Sequence, residues 1–293
     1  MAKWGKPTQF LLVEKYESLS KRRELKYYLS NLALAIYAKA GGKPWALDID
    51  SANNFIAEGS DLILGVGGTR VDGRNWFAFT TLFERNGTFD YWSSDITSQE
   101  EYVQSLKKQI KTSIDDYIRE HPGEEIKTIT FHIAGKKPGR KEQYAVKEAM
   151  QELGTNFNYA LLHINTTSPF WVLDDKFITP PDGLKVYLTY KDFLIVPEGR
   201  REDELPRRRL VRPLRVTVID CTVPDEQIDT LIKEIYGLTR MNWRGFNACK
   251  IPVSVYYPRL LAFSLFQLRS NPDIETFESI THQVSLRRKP WFL

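Results

Sequence analysis

Cysteine and histidine are scarce, with two and four copies in 293 residues. Cys221 and Cys249 sit in apolar surroundings without metal-ligand spacing, so neither a disulfide framework nor a zinc site is expected. His121, His132, His163 and His282 are scattered, which leaves no Ser-His or Cys-His constellation for nucleophilic catalysis. Long apolar runs are missing too. No stretch approaches the roughly 20 residues a membrane span requires, and the N-terminus has no basic segment followed by an apolar run. A cytoplasmic protein in a reducing interior is the resulting expectation. Neither charge sign dominates, since 41 Lys plus Arg against 37 Asp plus Glu leaves a net charge of +4. Any role for charge must therefore come from its distribution rather than its sum. Internal repeats and low-complexity linkers are also absent, so nothing divides the chain into separate units.

What is present describes an α/β fold, a mixed sheet flanked by helices, with hydrophobic content of 42% to fill its core. The pivotal stretch is Asp61–Val71, where four apolar residues in short order predict a strand buried on both faces, and Gly65, Gly67 and Gly68 leave its exit without side chains. Before it, Phe10–Val13 reads as a short strand and 21–40 as an amphipathic helix whose inner face is Leu25, Tyr28, Leu29, Leu32 and Ile36. Trp45–Ile49 reads as another strand. After it, Arg85-Asn86-Gly87 between Trp76–Phe83 and Thr88–Trp92 is a strong hairpin signal. Thr97 and Glu100 form a capping-box pattern heading a helix to about Arg119. Ile126–Ile133 and Tyr159–Ile164 read as strands separated by a helix, Leu184–Leu188 and Phe193–Val196 as a strand pair, and Val216–Ile219 as the last strand. The helix over Asp225–Leu238 turns Ile228, Leu231, Ile232 and Ile235 inward, and a final long helix is expected from Pro258 to Leu268. The apolar terminus Trp291-Phe292-Leu293 should be tucked inside.

Two stretches carry cations where they could matter. Ala134-Gly135-Lys136-Lys137-Pro138-Gly139-Arg140-Lys141 is a glycine-rich basic loop between a strand and a helix, the place where open α/β sheets bind ligands. Phosphates or plain solvent are its two possible partners. Gly199–Arg215 holds seven arginines interrupted by Glu202, Asp203 and Glu204, and suits a nucleic-acid backbone, a protein interface or a solvated turn.

Several segments, in order and suitably spaced, together resemble one family. They are Gly41-Gly42-Lys43-Pro44-Trp45, the strand ending Leu64-Gly65-Val66-Gly67, the strand end Phe131–Gly135, Leu238-Thr239-Arg240-Met241-Asn242-Trp243, Pro252–Ala262 and the terminal Trp-Phe-Leu. The resemblance is to the PIWI domain of Argonaute proteins, in the short prokaryotic and archaeal forms, and spans about residues 9–293. It implies a ribonuclease H-like PIWI fold, with 1–40 a remnant of the preceding MID domain and 41–293 the PIWI domain.

Active members of that family cut nucleic acid with an Asp-Glu-Asp plus Asp or His tetrad around two metal ions. By resemblance the first Asp falls on Gly67, the second on Ala134 and the fourth ligand on Arg259, while the glutamate has no assignable position. The expectation is a chain with no cleavage activity of its own. The family also holds a guide's 5′ phosphate between MID and PIWI. There the resemblance implies roles for Gln9 and Lys39, and a divalent ion such as Mg²⁺ at the C-terminal carboxylate of Leu293. The family's helix ligand to that ion falls on Ala35, and its early helix with Tyr and Lys is not expected in these 293 residues, which by resemblance begin after it. No other cofactor is expected.

Contacts to a nucleic-acid backbone, DNA or RNA, are expected from Lys39, Lys136, Lys137, Arg140, Asn165, Thr166, Asn242, Arg244 and Arg259. Trp243 and Tyr257 read either as base-stacking groups or as core. Relatives of this shortened kind are often encoded beside an effector nuclease, and the pair acts in prokaryotic defence. Three readings follow: an inactive nucleic-acid-binding subunit with such a partner, a stand-alone guide-dependent binder, or an interaction scaffold. The strands of Leu184–Val196 would offer an edge for a homodimer.

Overall fold

A computed structural model describes residues 5–21, 24–49, 59–70, 75–135, 137–154, 157–174, 178–201, 203–204, 210–269 and 283–293. Lys136, Arg207, Arg208, Arg209 and His282 lie outside the described residues. The centre is an eight-stranded mixed sheet in the order β3-β2-β1-β4-β5-β8-β7-β6. Its strands are β1 (Leu62–Arg70), β2 (Asn75–Glu84), β3 (Phe89–Ser98), β4 (Thr128–Ala134), β5 (Asn158–Asn165), β6 (Lys185–Thr189), β7 (Asp192–Ile195) and β8 (Leu214–Cys221). β1, β4 and β5 run parallel, and every other pairing is antiparallel. This is the mixed sheet flanked by helices that the sequence predicts. Gly87, at φ +75°, closes the β2–β3 turn in a left-handed conformation that glycine adopts without steric cost.

Helices cover both faces. On one, α3 (Tyr102–Glu120) and α4 (Arg140–Glu152) bury Leu62, Leu64, Val66, Ile129 and Phe131 in a single cluster. On the other lie α5 (Asp225–Leu238) and α6 (Val253–Arg269). β1 therefore alternates, its even positions facing α3 and α4, while Ile63, Gly65 and Gly67 face α6. Gly65 is the point of closest approach. A Cβ built there would stand 2.0 Å from the Ser254 backbone oxygen and 2.7 Å from Pro258. Pro258 lies inside α6 and lacks the N–H that would bond the carbonyl four residues back, which is that of Ser254. α6 nevertheless begins at Val253, where the sequence predicts a helix starting at the proline.

Other expectations also need correction. Phe10–Val13 is no strand: Phe10 to Leu12 are irregular and Val13 begins helix α1 (Val13–Lys21). Trp45–Ile49 is irregular as well, tied to the hairpin by the Leu47 N–H donating to Asn86 O. The helix α2 (Leu25–Lys39) forms, but it buries Leu34, Ala35, Ala38 and Lys39 while Leu29 and Ile36 stay exposed. Periodicity finds an apolar stripe; here the C-terminal half of the helix meets the core, and through a different face. α3 starts at Tyr102 with Glu101 as its N-cap and no side-chain cap, so the Thr97 and Glu100 pattern does not cap it; Ser98 Oγ accepts from the Glu101 N–H at 3.2 Å in the turn just before. As expected, α5 buries Ile228, Leu231, Ile232 and Ile235, and Trp291, Phe292 and Leu293 are buried beside the short helix α7 (Val284–Arg287).

One buried carboxyl makes the fold sensitive to pH. Glu234, on α5, is fully buried, accepts from the Ser60 N–H at 2.7 Å and from Ser60 Oγ at 3.1 Å, and burial raises its pKa from 4.5 to about 8. Between those values the folded chain keeps a proton that the unfolded chain has released, so stability falls as pH rises through this window by about 1.4 kcal/mol per pH unit. Denaturant midpoints taken from pH 5 to 8 should show this decline, and Glu234→Gln should flatten it.

Candidate nucleic-acid interface

The exits of the three parallel strands gather at one end of the sheet. Gly65 pairs with His132, so Gly67 and Ala134 stand at matching positions two residues further along neighbouring strands. Both face α6. His132, fully buried with its pKa lowered by burial to about 3, shares a 2.7 Å hydrogen bond between Nδ1 and Ser254 Oγ, while its Nε2 has no partner. It is a neutral core group. A Cβ at Gly67 would meet the Phe79 ring at 2.9 Å, so an aromatic edge occupies the space a carboxylate would take. Arg259 is exposed on α6.

Beyond Ala134 the chain turns at Gly135, at φ +82°, into the basic loop. Lys137 and Arg140 are exposed. The head of α4 is already engaged, since the Gly139 N–H donates to Glu142 at 2.9 Å. This carboxylate competes with any phosphate for the helix terminus. At the exit of β5, Asn165 and Thr166 are half-buried, and Asn165 Oδ1 accepts from the Thr167 N–H at 2.8 Å. His163 bonds Gly135 O at 3.1 Å, and burial lowers its pKa, with Lys137 and Arg215 acting the same way. Arg215, at the start of β8, forks onto Asp192.

A second group lies where the two termini meet the 240s loop. Lys39 is buried at the end of α2 and donates to Gln9 Oε1 at 2.8 Å and Thr8 O at 3.3 Å. Burial, and then the charge of Arg244, lower its pKa. Gln9 and Lys39, which the resemblance places in one pocket, are thus in contact, and Arg244, which it does not place there, lies close enough for its charge to act on Lys39. Arg244 donates from Nη1 to the Tyr256 hydroxyl at 3.0 Å, and its backbone N–H reaches Asn242 Oδ1 at 3.2 Å. Leu293 packs in the same apolar cluster as Ala38. A divalent ion does not fit the residues present here: Ala35 offers no oxygen-bearing side chain, and Lys39 and Arg244 bring two cations into the same space. Trp243 and Tyr257 are core, 2% and 1% exposed, and are not stacking groups.

Among the described residues, Glu84, Asp90 and His121 form the one group of three His, Cys, Asp or Glu able to hold a metal ion. It lies at the far end of the sheet from Gly67 and Ala134. Lys43 already pairs with Glu84, and Arg288 with Asp90. Sequence reasoning missed Phe170 and Trp171, 37% and 49% exposed beside Arg215 and Arg212. Two adjacent aromatics just after a polar turn were the available signal.

A Piwi domain family model matches residues 1–269. The chain is 33% identical over 311 residues to a Piwi protein of Archaeoglobus fulgidus, covering 98% of this chain and 69% of that protein. It is 26% identical to a protein argonaute of Cereibacter sphaeroides, covering 99% of this chain but 39% of that protein. Among solved structures, the Argonaute of Clostridium butyricum, bound to a guide DNA and a 19-mer target DNA, superposes with a TM-score of 0.69 at 20% identity, over 90% of this chain and 34% of that one. The A. aeolicus Argonaute gives 0.61 at 21% identity, over 95% and 36%. The fold is thus the ribonuclease H-like arrangement of Argonautes, and the chain spans about a third of each solved relative. With a family model over most of its length and a curated relative at 33% identity, the chain belongs to the Piwi domain family.

Proposed function

We propose that this chain binds nucleic acid without cutting it, and that a separate effector nuclease supplies the chemistry in prokaryotic defence. The observation that supports the reading is the sheet exit: Gly67 and Ala134, at the positions where the resemblance puts the metal-binding carboxylates, offer no acidic oxygen, the Phe79 ring lies against Gly67, and Lys137 and Arg140 are exposed at the same end. Losing the ligands removes the route to metal-assisted cleavage. Keeping the cations retains a grip on phosphates. The Argonaute of C. butyricum that this chain superposes on is bound to both a guide and a target DNA, which favours a backbone running across this end of the sheet. The exposed side chains of Phe10, Leu12, Val13, Leu29, Ile36 and Tyr37 suit a companion protein better than water.

A stand-alone, guide-dependent binder is the second reading. It is favoured by the convergence of Gln9, Lys39 and Arg244, where a terminal phosphate would replace the contact between Lys39 and Gln9.

Titrating labelled DNA and RNA strands with the purified chain over a series of salt concentrations tests the binding. Affinity should fall linearly on a log–log plot, and replacing Lys137 and Arg140 together by Ala should reduce the slope by about 2. A slope that ignores both substitutions would remove the basic loop from the interface.

A further inference from the structure

The loop after β5 builds a feature that the resemblance does not assign. Ser168 Oγ accepts from the Phe170 N–H at 3.2 Å, and a bridge between Val172 and Val211 pins the far side of the loop. Between these ties the guanidinium of Arg212 lies 4.7 Å from the centre of the Trp171 ring, and that of Arg215 lies 5.5 Å from the Phe170 ring. Arg215 is itself fixed by its fork onto Asp192. Two aromatic rings and two cations are thus held side by side, and Trp171 still shows half its surface to solvent.

The position is as telling as the composition. Asn165 pairs with Arg215, so this loop stands at the same sheet end as Ala134 and Lys137. Buried aromatics need no cation, and phosphate-binding arginines need no tryptophan. An exposed ring backed by a guanidinium suits an unstacked base with its phosphate alongside, because every base has a π-face and the cation strengthens the stack.

The geometry points to Trp171, supported by Arg212, as a stacking platform for one unpaired base of a single-stranded nucleic acid. This rests on the nucleic-acid-binding reading above and adds where a single strand departs from a duplex. Stacking releases no counterions, so its loss lowers affinity at every salt concentration equally, unlike the loss of a phosphate contact.

The test measures binding of a single-stranded oligonucleotide and of the matching blunt duplex by fluorescence anisotropy across a salt series, for the parent chain, Trp171→Ala and Trp171→Phe. Trp171→Ala should weaken single-strand binding about tenfold with the salt slope unchanged. Duplex binding should stay put, and Trp171→Phe should recover most of the loss. Parent binding with a normal salt slope but no effect of Trp171→Ala overturns this inference and leaves the broader reading standing. Equal weakening for strand and duplex overturns it as well. So does a change of oligomeric state in Trp171→Ala by light scattering, which would make the surface a contact between proteins. Absence of any binding by the parent chain at low salt defeats both.

Discussion

Lys39→Ala should abolish any preference of this protein for a 5′-phosphorylated strand over the same strand ending in a hydroxyl. Lys39 is buried, and its ammonium is shared between Gln9 Oε1 and Thr8 O, with Arg244 close enough to lower its pKa. A phosphate entering there exchanges a neutral acceptor for a doubly charged one and relieves the repulsion between the two cations. Hydrogen bonds to charged partners contribute about 1.5 to 3 kcal/mol, so the parent chain should favour the phosphorylated strand about tenfold to a hundredfold. Lys39→Ala should bring the two strands level while leaving hydroxyl-ended binding nearly unchanged. Competition between the two strands for the same chain reads this directly. Equal affinities in the parent chain would remove the terminal pocket and the guide-dependent reading with it.

Gly65→Ala should be the most damaging single methyl in the molecule's centre, costing at least about 3 kcal/mol in chemical denaturation. The obstacle is the backbone oxygen of Ser254 at 2.0 Å from the new Cβ, so no rotamer change relieves it. Alanine narrows the unfolded ensemble and returns about 0.4 to 1 kcal/mol, too little to compensate. Gly67→Ala makes the contrast. There the nearest atoms belong to the Phe79 ring at 2.9 Å, a side chain that can shift, so its cost should be clearly smaller. Similar losses for the two would mean that α6 is not seated on β1 as described. The same geometry predicts that Gly67→Asp alone restores no cleavage, because Phe79 occupies the place and Ala134 still offers no oxygen.

The sheet was legible because its cues are local. Asn-Gly between alternating runs placed β2 and β3, and the unbroken apolar Leu62–Leu64 placed β1 between two helical layers. The N-terminal region was not. Phe10 is 87% exposed, so the apolar run there is no buried strand, and α2 buries Leu34, Ala35, Ala38 and Lys39 in its C-terminal half while its predicted inner stripe is at most half-buried. Pro258 misled for a similar reason. A proline normally starts a helix, but here it sits inside one, and the Ser254 carbonyl that it cannot bond lies against Gly65, where no side chain is in the way. At the candidate site, Gln9 and Lys39 could be grouped only through the family resemblance, since residues 9 and 39 share no periodicity, and the nearness of Arg244 to Lys39 came from the structure alone. The Trp171 and Arg212 pair needs β5 and β8 to be neighbours, which no local pattern announces.

The central claim is that phosphate binding survives in a sheet that has lost its metal-binding oxygens. Its most direct test incubates the purified chain with end-labelled single strands and guide–target duplexes at saturating concentration, with Mg²⁺ or Mn²⁺, and follows strand length on denaturing gels. The prediction is salt-sensitive binding with every strand recovered at full length. Metal-dependent cut product that tracks the purified chain through separation would contradict it.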